Sequence, residues 1–392
     1  TAKFHWNAIV IREKELRRMG SGGASGGDGG GGGVHPASNR VQVVVRVRPQ
    51  LGSDEVSQEP AVMVDQEASR VQVMVPGQSA ALDNGTGFVA KAQARAFEFD
   101  ACLGPEASQE DVFEACKIPE LMESALEGYA VTVFAFGQTG AGKTHTISGS
   151  QGAMRSGDGL VASAVRYAYD SMASKATERS FKVRATFSEI YNETVRDLLV
   201  SKSQSGGEQS LPIRNDKNKG FFVEGLTSRE CVTAEDAIKC HSRGLSHRQV
   251  RAHNLNEQSS RSHCLLTLHV ESKPAVGAAG EARGTTSSSD GYRRFGKITF
   301  VDLAGSERLK QTGNAAAGAV WETGNINRSL FALGKVISTL SGRRAGDLNS
   351  SHVPFRDSKL TQLLIDSLGG RGRSLMIACC SPASVSTEET MN

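Results

Sequence analysis

Gly137-Gln138-Thr139-Gly140-Ala141-Gly142-Lys143-Thr144 fits the pattern G-x-x-x-x-G-K-[ST]. Residues of these types at this spacing hold a phosphate chain. Glycines let backbone N–H groups converge on one anion, and a helix starting at the loop's end adds its positive dipole end. Lys143 can neutralise the outer phosphates, and the Thr144 hydroxyl is a hard oxygen of the kind Mg²⁺ prefers. The competing reading is a Gly-rich turn that fits by accident. The flanking sequence speaks against it, because Val131-Thr132-Val133-Phe134-Ala135-Phe136 reads as a buried strand immediately before the loop. A second metal-side group is available in Ile298–Gly305, an apolar run that ends in Asp302. A carboxylate at that strand end can hold Mg²⁺ through water, and the Gly305 N–H can meet a γ-phosphate. Taken alone, Asp302 is equally a turn or cap residue.

Such groups need a scaffold. Val41–Pro49 is rich in β-branched residues, nearly all apolar on both faces, and stops at the proline. That is a strand of a sheet covered by helices. Further strands are expected at Val131–Phe136, Phe181–Glu189, Cys264–Val270, Lys297–Asp302 and Leu375–Cys379. Helices are expected at Ser108–Ala125, Leu160–Lys175, Thr233–Leu245, Glu322–Leu340 and Ser358–Leu368. The alternation predicts an α/β layered fold. Ser201–Ser210 and Ser272–Tyr292 read as inserted loops, the second as a hairpin tip. Ile326, Leu330, Leu333, Ile337 and Leu340 form a helical stripe, which means core packing.

Residues 1–40 read as a flexible leader, since ten of the fourteen residues from Gly20 to Gly33 are glycine. This leader holds six Lys/Arg against three Asp/Glu, which accounts for the whole net charge of +3. The rest, 41–392, is formally neutral, so an acidic partner must be met by local patches. No apolar run reaches the roughly 20 residues that span a bilayer, no secretory signal stands at the N-terminus, and no membrane contact is expected. The seven cysteines show no paired CxxC units and are expected to be reduced thiols. Neutrality and the lack of a reader motif argue against nucleic-acid binding.

Asn256-Glu257-Gln258-Ser259-Ser260-Arg261-Ser262-His263 resembles the switch I motif of kinesins, and Asp302-Leu303-Ala304-Gly305-Ser306-Glu307 resembles their switch II. Arg46-Val47-Arg48-Pro49 is similar to their adenine-side R-x-R-P. Ser188–Glu193 and His352–Leu360 resemble further family signatures, and the match runs in family order from about Arg40 onward. The resemblance implies a P-loop NTPase of the kinesin type, with a mixed, mostly eight-stranded sheet and three helices on each face. It implies ATP and Mg²⁺ as cofactors. Residues 137–144 with His145, Arg46, Arg48 and Pro49 would hold the nucleotide; His145 is equally an ordinary helix residue. Thr144, Ser260 and, through water, Asp302 would hold the metal. Asn256, Ser259 and Gly305 would position the γ-phosphate and the attacking water, while Arg261 and Glu307 would pair when the switches close. Glu307 would also accept the water's proton indirectly.

The same resemblance implies a microtubule as partner, a place on the cytoskeleton in the cytoplasm, and dimerisation through coiled-coil segments outside this sequence. The motor domain would span 41–392, ending before the last helix and the neck linker are complete. Arg308, Lys310, Arg343, Arg344, Arg356 and Lys359 are the candidate tubulin contacts; a solvated basic face is the plain alternative. Lys217 and Lys219 are weaker candidates. One departure stands out. Gln311–Trp321 has no charge, although kinesins commonly carry basic residues just before the Glu preceding N-I-N. Weaker or less salt-dependent binding is expected from this loop. A myosin would share the phosphate loop but not Asp302–Glu307. A GTPase would need N-K-x-D, where Asn218-Lys219-Gly220 is followed by Phe221. A non-motile microtubule-binding or regulatory protein that keeps the fold is the functional alternative.

Overall fold

The computed structural model describes residues 41–75, 80–81, 88–89, 93–150, 158–200, 210–216, 220–254, 258–275, 292–307, 317–341, 352–369 and 372–391. The side chains of 251–259 and 317–327 lie outside that description. The leader, most of both inserted loops, Lys217 and Lys219 fall outside it as well.

Strands and helices alternate along the chain. The first half holds β1 (Val41–Val47), β2 (Val62–Asp65), β3 (Arg70–Val75), β4 (Gln93–Glu98), β5 (Ala101–Leu103), α1 (Gln109–Ala115), α2 (Ile118–Leu126), β6 (Ala130–Phe136), α3 (Lys143–Ser148), α4 (Leu160–Ser174), β7 (Arg179–Tyr191) and β8 (Thr194–Asp197). The second holds β9 (Ile213–Asp216), β10 (Gly220–Val223), β11 (Ser228–Cys231), α5 (Ala234–Asn254), β12 (Ser262–Pro274), β13 (Arg294–Asp302), α6 (Ala317–Ser341), α7 (Lys359–Leu363), α8 (Ile365–Leu368), β14 (Arg373–Cys380) and α9 (Thr387–Met391).

Among the described residues the central sheet has nine strands: eight run in the order β8-β7-β12-β13-β6-β14-β1-β5, and β11 pairs with β7. From β13 to β5 all neighbours are parallel. From β8 to β13 they are antiparallel. The mixed sheet expected from the motifs is therefore present, with one strand more. Side chains alternate across it, as the two-residue strand period demands. Val44, Val131, Val133, Leu375 and Ile377 enter a core under α2, α4 and α5. Val43, Phe134 and Met376 enter a second core under α6 and α7. Each fully buried side chain of this size contributes about 1.5–3 kcal/mol, so both faces hold the sheet rigid. Leu330, Leu333 and Ile337 of the expected stripe are buried in the second core; Ile326 lies outside the described side chains.

The structure redraws three helices. Ser108–Ala125 is not continuous: a Ser108/Asp111 capping box starts α1, and Lys117, at φ 50°, breaks the chain before α2. Pro119 lies in the first turn of α2, where its missing N–H costs no helix bond. Ser358–Leu368 likewise divides into α7 and α8. The third helix, α5, runs nine residues past the expected Leu245, to Asn254. That extension is polar in sequence, and its purpose lies at the site.

Candidate functional site

Parallel strands β6 and β13 end side by side, with Asp302 opposite Ala135. Strand β12 begins at the same edge, with Cys264 opposite Asp302. The carboxyl ends of parallel strands are where α/β sheets hold ligands. The loop 137–142 leaves β6 at that edge and turns into α3. Its glycines are required by conformation: Gly137, Gly140 and Gly142 have φ of 143°, 78° and 98°. A Cβ on Gly137 would lie 2.2 Å from the Cys379 carbonyl oxygen. Lys143 is buried and donates from Nζ to the carbonyls of Gly137 (2.9 Å) and Gln138 (2.8 Å). Burial lowers its pKa, and the charge of Asp302 opposes the shift.

Thr144 donates from Oγ1 to Asp302 Oδ2 at 2.8 Å. The same oxygen accepts from Arg248 of α5 at 2.8 Å, in an ion pair whose side chains are 7% and 6% exposed. Arg248 also donates to Ser262 at the start of β12. The extension of α5 thus places a cation on the strand-end carboxylate. Sequence reading missed Arg248 because it sits in a polar stretch without apolar period. The one available signal was chemical: a carboxylate ending a buried apolar strand requires a cation or metal nearby.

The two switch segments meet through backbone. Gly305 N–H donates to Ser260 O at 2.8 Å, and Ser306 N–H donates to Gly137 O at 3.1 Å. Glu307 takes Thr139 as partner: one carboxylate oxygen accepts from Thr139 N at 2.7 Å, the other from Thr139 Oγ1. Both Glu307 oxygens are thus taken up by Thr139, and the Gly305 N–H is occupied by Ser260.

On the other side of the loop, Arg46 is buried. It donates to Gln109 Oε1, Thr146 Oγ1 and the Ala107 carbonyl. It supports α3 from behind and does not reach outward. Arg48 does reach the loop, donating from Nε to Gly140 O at 2.7 Å. Glu55, missed in the sequence, holds the guanidinium with both oxygens. Pro49 and His145 are exposed at the same rim, and Gln109 Nε2 bonds the His145 carbonyl at 2.8 Å. The two bonds from Arg48, then the Leu51 N–H, pull the Glu55 carboxyl down from 4.5 to about 2. A lowered folded-state pKa stabilises the fold above pH 4.5, and this is lost as pH falls towards 2. After discounting for solvent screening, Glu55→Gln should cost about 1 kcal/mol at neutral pH in urea unfolding. The gap to the parent should close as the pH approaches 3 to 2; a constant gap would contradict the linkage.

Ser259 and Ser260 lie in the turn Gln258–Arg261 that leads into β12. Asn256, Arg308, Lys310, Arg343 and Arg344 fall outside the described residues. Arg356 is exposed and Lys359 half-buried, beside the start of α7. The Lys359 N–H donates to Glu193 Oε2 at 2.9 Å, which ties this segment to the turn between β7 and β8.

The site fits Mg²⁺ and a phosphate chain. Asp302 Oδ1 is buried without a hydrogen-bond partner, so an oxygen remains for a metal-bound water. The glycine cradle and a buried lysine beneath it suit an anion. Hydroxyl and carboxylate oxygens are the donors Mg²⁺ takes.

A family model described as the kinesin motor domain matches residues 46–392. The kinesin-like protein KIF12 of Mus musculus is 39% identical over 359 residues, 90% of this chain and 50% of that protein. Kinesin-like protein KIN-5C of Oryza sativa subsp. japonica is 37% identical, covering 91% of this chain and 34% of its own length. The kinesin heavy chain of Syncephalastrum racemosum is 35% identical, again over 91% of this chain and 34% of its own. The chain thus spans a half to a third of these relatives. A solved structure of a fast kinesin superposes with a TM-score of 0.73 at 33% identity, covering 90% of this chain and 89% of its own. With the phosphate loop and the mixed sheet in place, the chain belongs to the kinesin motor domain family.

Proposed function

We propose that this chain hydrolyses ATP with Mg²⁺ and couples the presence of the γ-phosphate to its grip on microtubules. Motor domains of this family are in general microtubule-binding ATPases that take nucleotide with Mg²⁺. One observation carries the finer reading. Switch II is tied at successive residues to switch I and to the phosphate loop, through Gly305–Ser260 and Ser306–Gly137. A group arriving at the loop must disturb both bonds together, which is how a small ligand moves a larger element.

Thr144, Ser260 and Asp302, the last through water, would hold the metal, which supplies charge neutralisation on the phosphates. Residues 137–144 with Lys143 would bind the phosphates, and Arg48, Pro49 and His145 would line the adenine side. Asn256 and Ser259 would orient the attacking water. Glu307, once released from Thr139 and paired with Arg261, would take its proton indirectly. Arg308, Lys310, Arg343, Arg344, Arg356 and Lys359 would face the acidic tubulin surface. The protein would then act on cytoplasmic microtubules, as a dimer if segments outside this sequence form a coiled coil.

Cosedimentation with microtubules tests the track reading. Affinity should differ between ADP and a non-hydrolysable ATP analogue; equal affinity in both would contradict coupling. In the same assay Trp321→Lys should tighten binding and steepen its salt dependence, because it restores a cation to the uncharged segment Gln311–Trp321, whose last five residues are not loop but the start of α6. Unchanged affinity would reject that role for the segment.

A further inference from the structure

His263 is the second residue of β12 and is 2% exposed. Its ring joins three segments. The Ala304 N–H, between Asp302 and Gly305, donates to Nδ1 at 3.0 Å. A ring nitrogen that accepts carries no proton, so in the neutral ring the proton is assigned to Nε2. Nε2 donates to Ser329 Oγ at 2.7 Å. Ser329 is buried near the middle of α6. One residue beyond Ala304, Gly305 donates to the switch I carbonyl of Ser260.

The surrounding contacts are of a different kind. Leu303 and the α6 residues Leu330 and Leu333 share one apolar core. Apolar contact is non-directional and allows sliding. A hydrogen bond fixes direction and distance, and breaking one here strands a buried polar group. Burial, then the charge of Arg248, presses the imidazole down to about 3. The ring is therefore neutral at any working pH and keeps one donor and one acceptor.

We propose that His263 is a positioning residue, a two-ended strut that carries displacement of the Asp302–Gly305 segment to α6 through Ser329. The proposal rests on the reading above, in which Arg308, Lys310, Arg343 and Arg344, on the segments that flank α6 in the chain, face the track. Without the strut, the Asp302–Gly305 segment and α6 would still share the apolar core, which permits sliding. Nucleotide would still bind, but its state would no longer set the position of the helix.

Two variants test this at separate ends. Ser329→Ala removes the α6 end alone. His263→Asn keeps an acceptor oxygen where Nδ1 stood and is too short to reach Ser329. Both should leave ATP turnover without microtubules within about two-fold of the parent. Both should also shrink the ratio of microtubule affinities in ATP analogue and ADP by about five-fold or more. If both keep that ratio within about two-fold of the parent, the proposal is wrong. If the parent does not bind microtubules, the track reading fails on its own, and hydrogen exchange decides the strut. The analogue should then slow exchange at 328–341 in the parent and not in Ser329→Ala; equal protection in both would overturn it.

Discussion

Replacing Arg248 by methionine is expected to lower the unfolding free energy by about 3–5 kcal/mol, because it leaves Asp302 buried without its cation. The pair is 2.8 Å long and its two side chains are 7% and 6% exposed. Thr144 would remain as a neutral donor to Oδ2, which is weak compensation for a buried charge. The double variant Arg248→Met with Asp302→Asn should recover most of the loss, since the uncompensated charge is then gone. Urea unfolding of the four proteins gives the cycle. A single-variant cost below about 1 kcal/mol would place the pair among exposed ion pairs and reject this description.

Glu307→Ala is expected to lower ATP turnover by about 10²–10⁴-fold, the range for losing a group that moves a proton in the transition state. Nucleotide affinity should change far less, because Lys143 and the glycine cradle are untouched. The structure offers a competing reason for any loss, since Glu307 also holds Thr139 at its N–H and hydroxyl. Glu307→Gln separates the two. It keeps an oxygen for Thr139 but no longer accepts a proton at working pH. Turnover near that of Glu307→Ala supports the proton role; turnover near the parent would make Glu307 a latch on the loop and nothing more.

The phosphate loop and the carboxylate at the end of β13 were readable in sequence because each depends on local requirements. Gly137, Gly140 and Gly142 stand where the backbone has left-handed φ, and Asp302 ends an apolar run. Strands β6, β12, β13 and β14 were readable for the same reason: continuous β-branched and apolar runs leave no helical alternative. What was not readable is pairing at long range. Arg248 lies 54 residues from Asp302, in a helical extension whose polar sequence carries no apolar stripe. Glu55 fixes Arg48 from a one-turn helix, Gly52–Val56, without apolar period. The break at Lys117 was hidden because the apolar spacing continues across it, through Val112, Ile118, Leu121 and Met122, all in one core. The partners of Gly305 and Glu307 could not follow from motif spacing. A switch has more than one arrangement, and sequence states the members without stating which contact each holds.

Steady-state ATP turnover, measured with and without polymerised tubulin, tests the central claim most directly. Turnover alone should be slow and should rise by more than about ten-fold, saturably, as microtubules are added; that corresponds to over 1.4 kcal/mol of barrier removed by the track. Microtubule binding without stimulated turnover would contradict the coupling and leave a binding module on a motor fold. No turnover under either condition, with Lys143 and Asp302 intact, would contradict the assignment of the site itself.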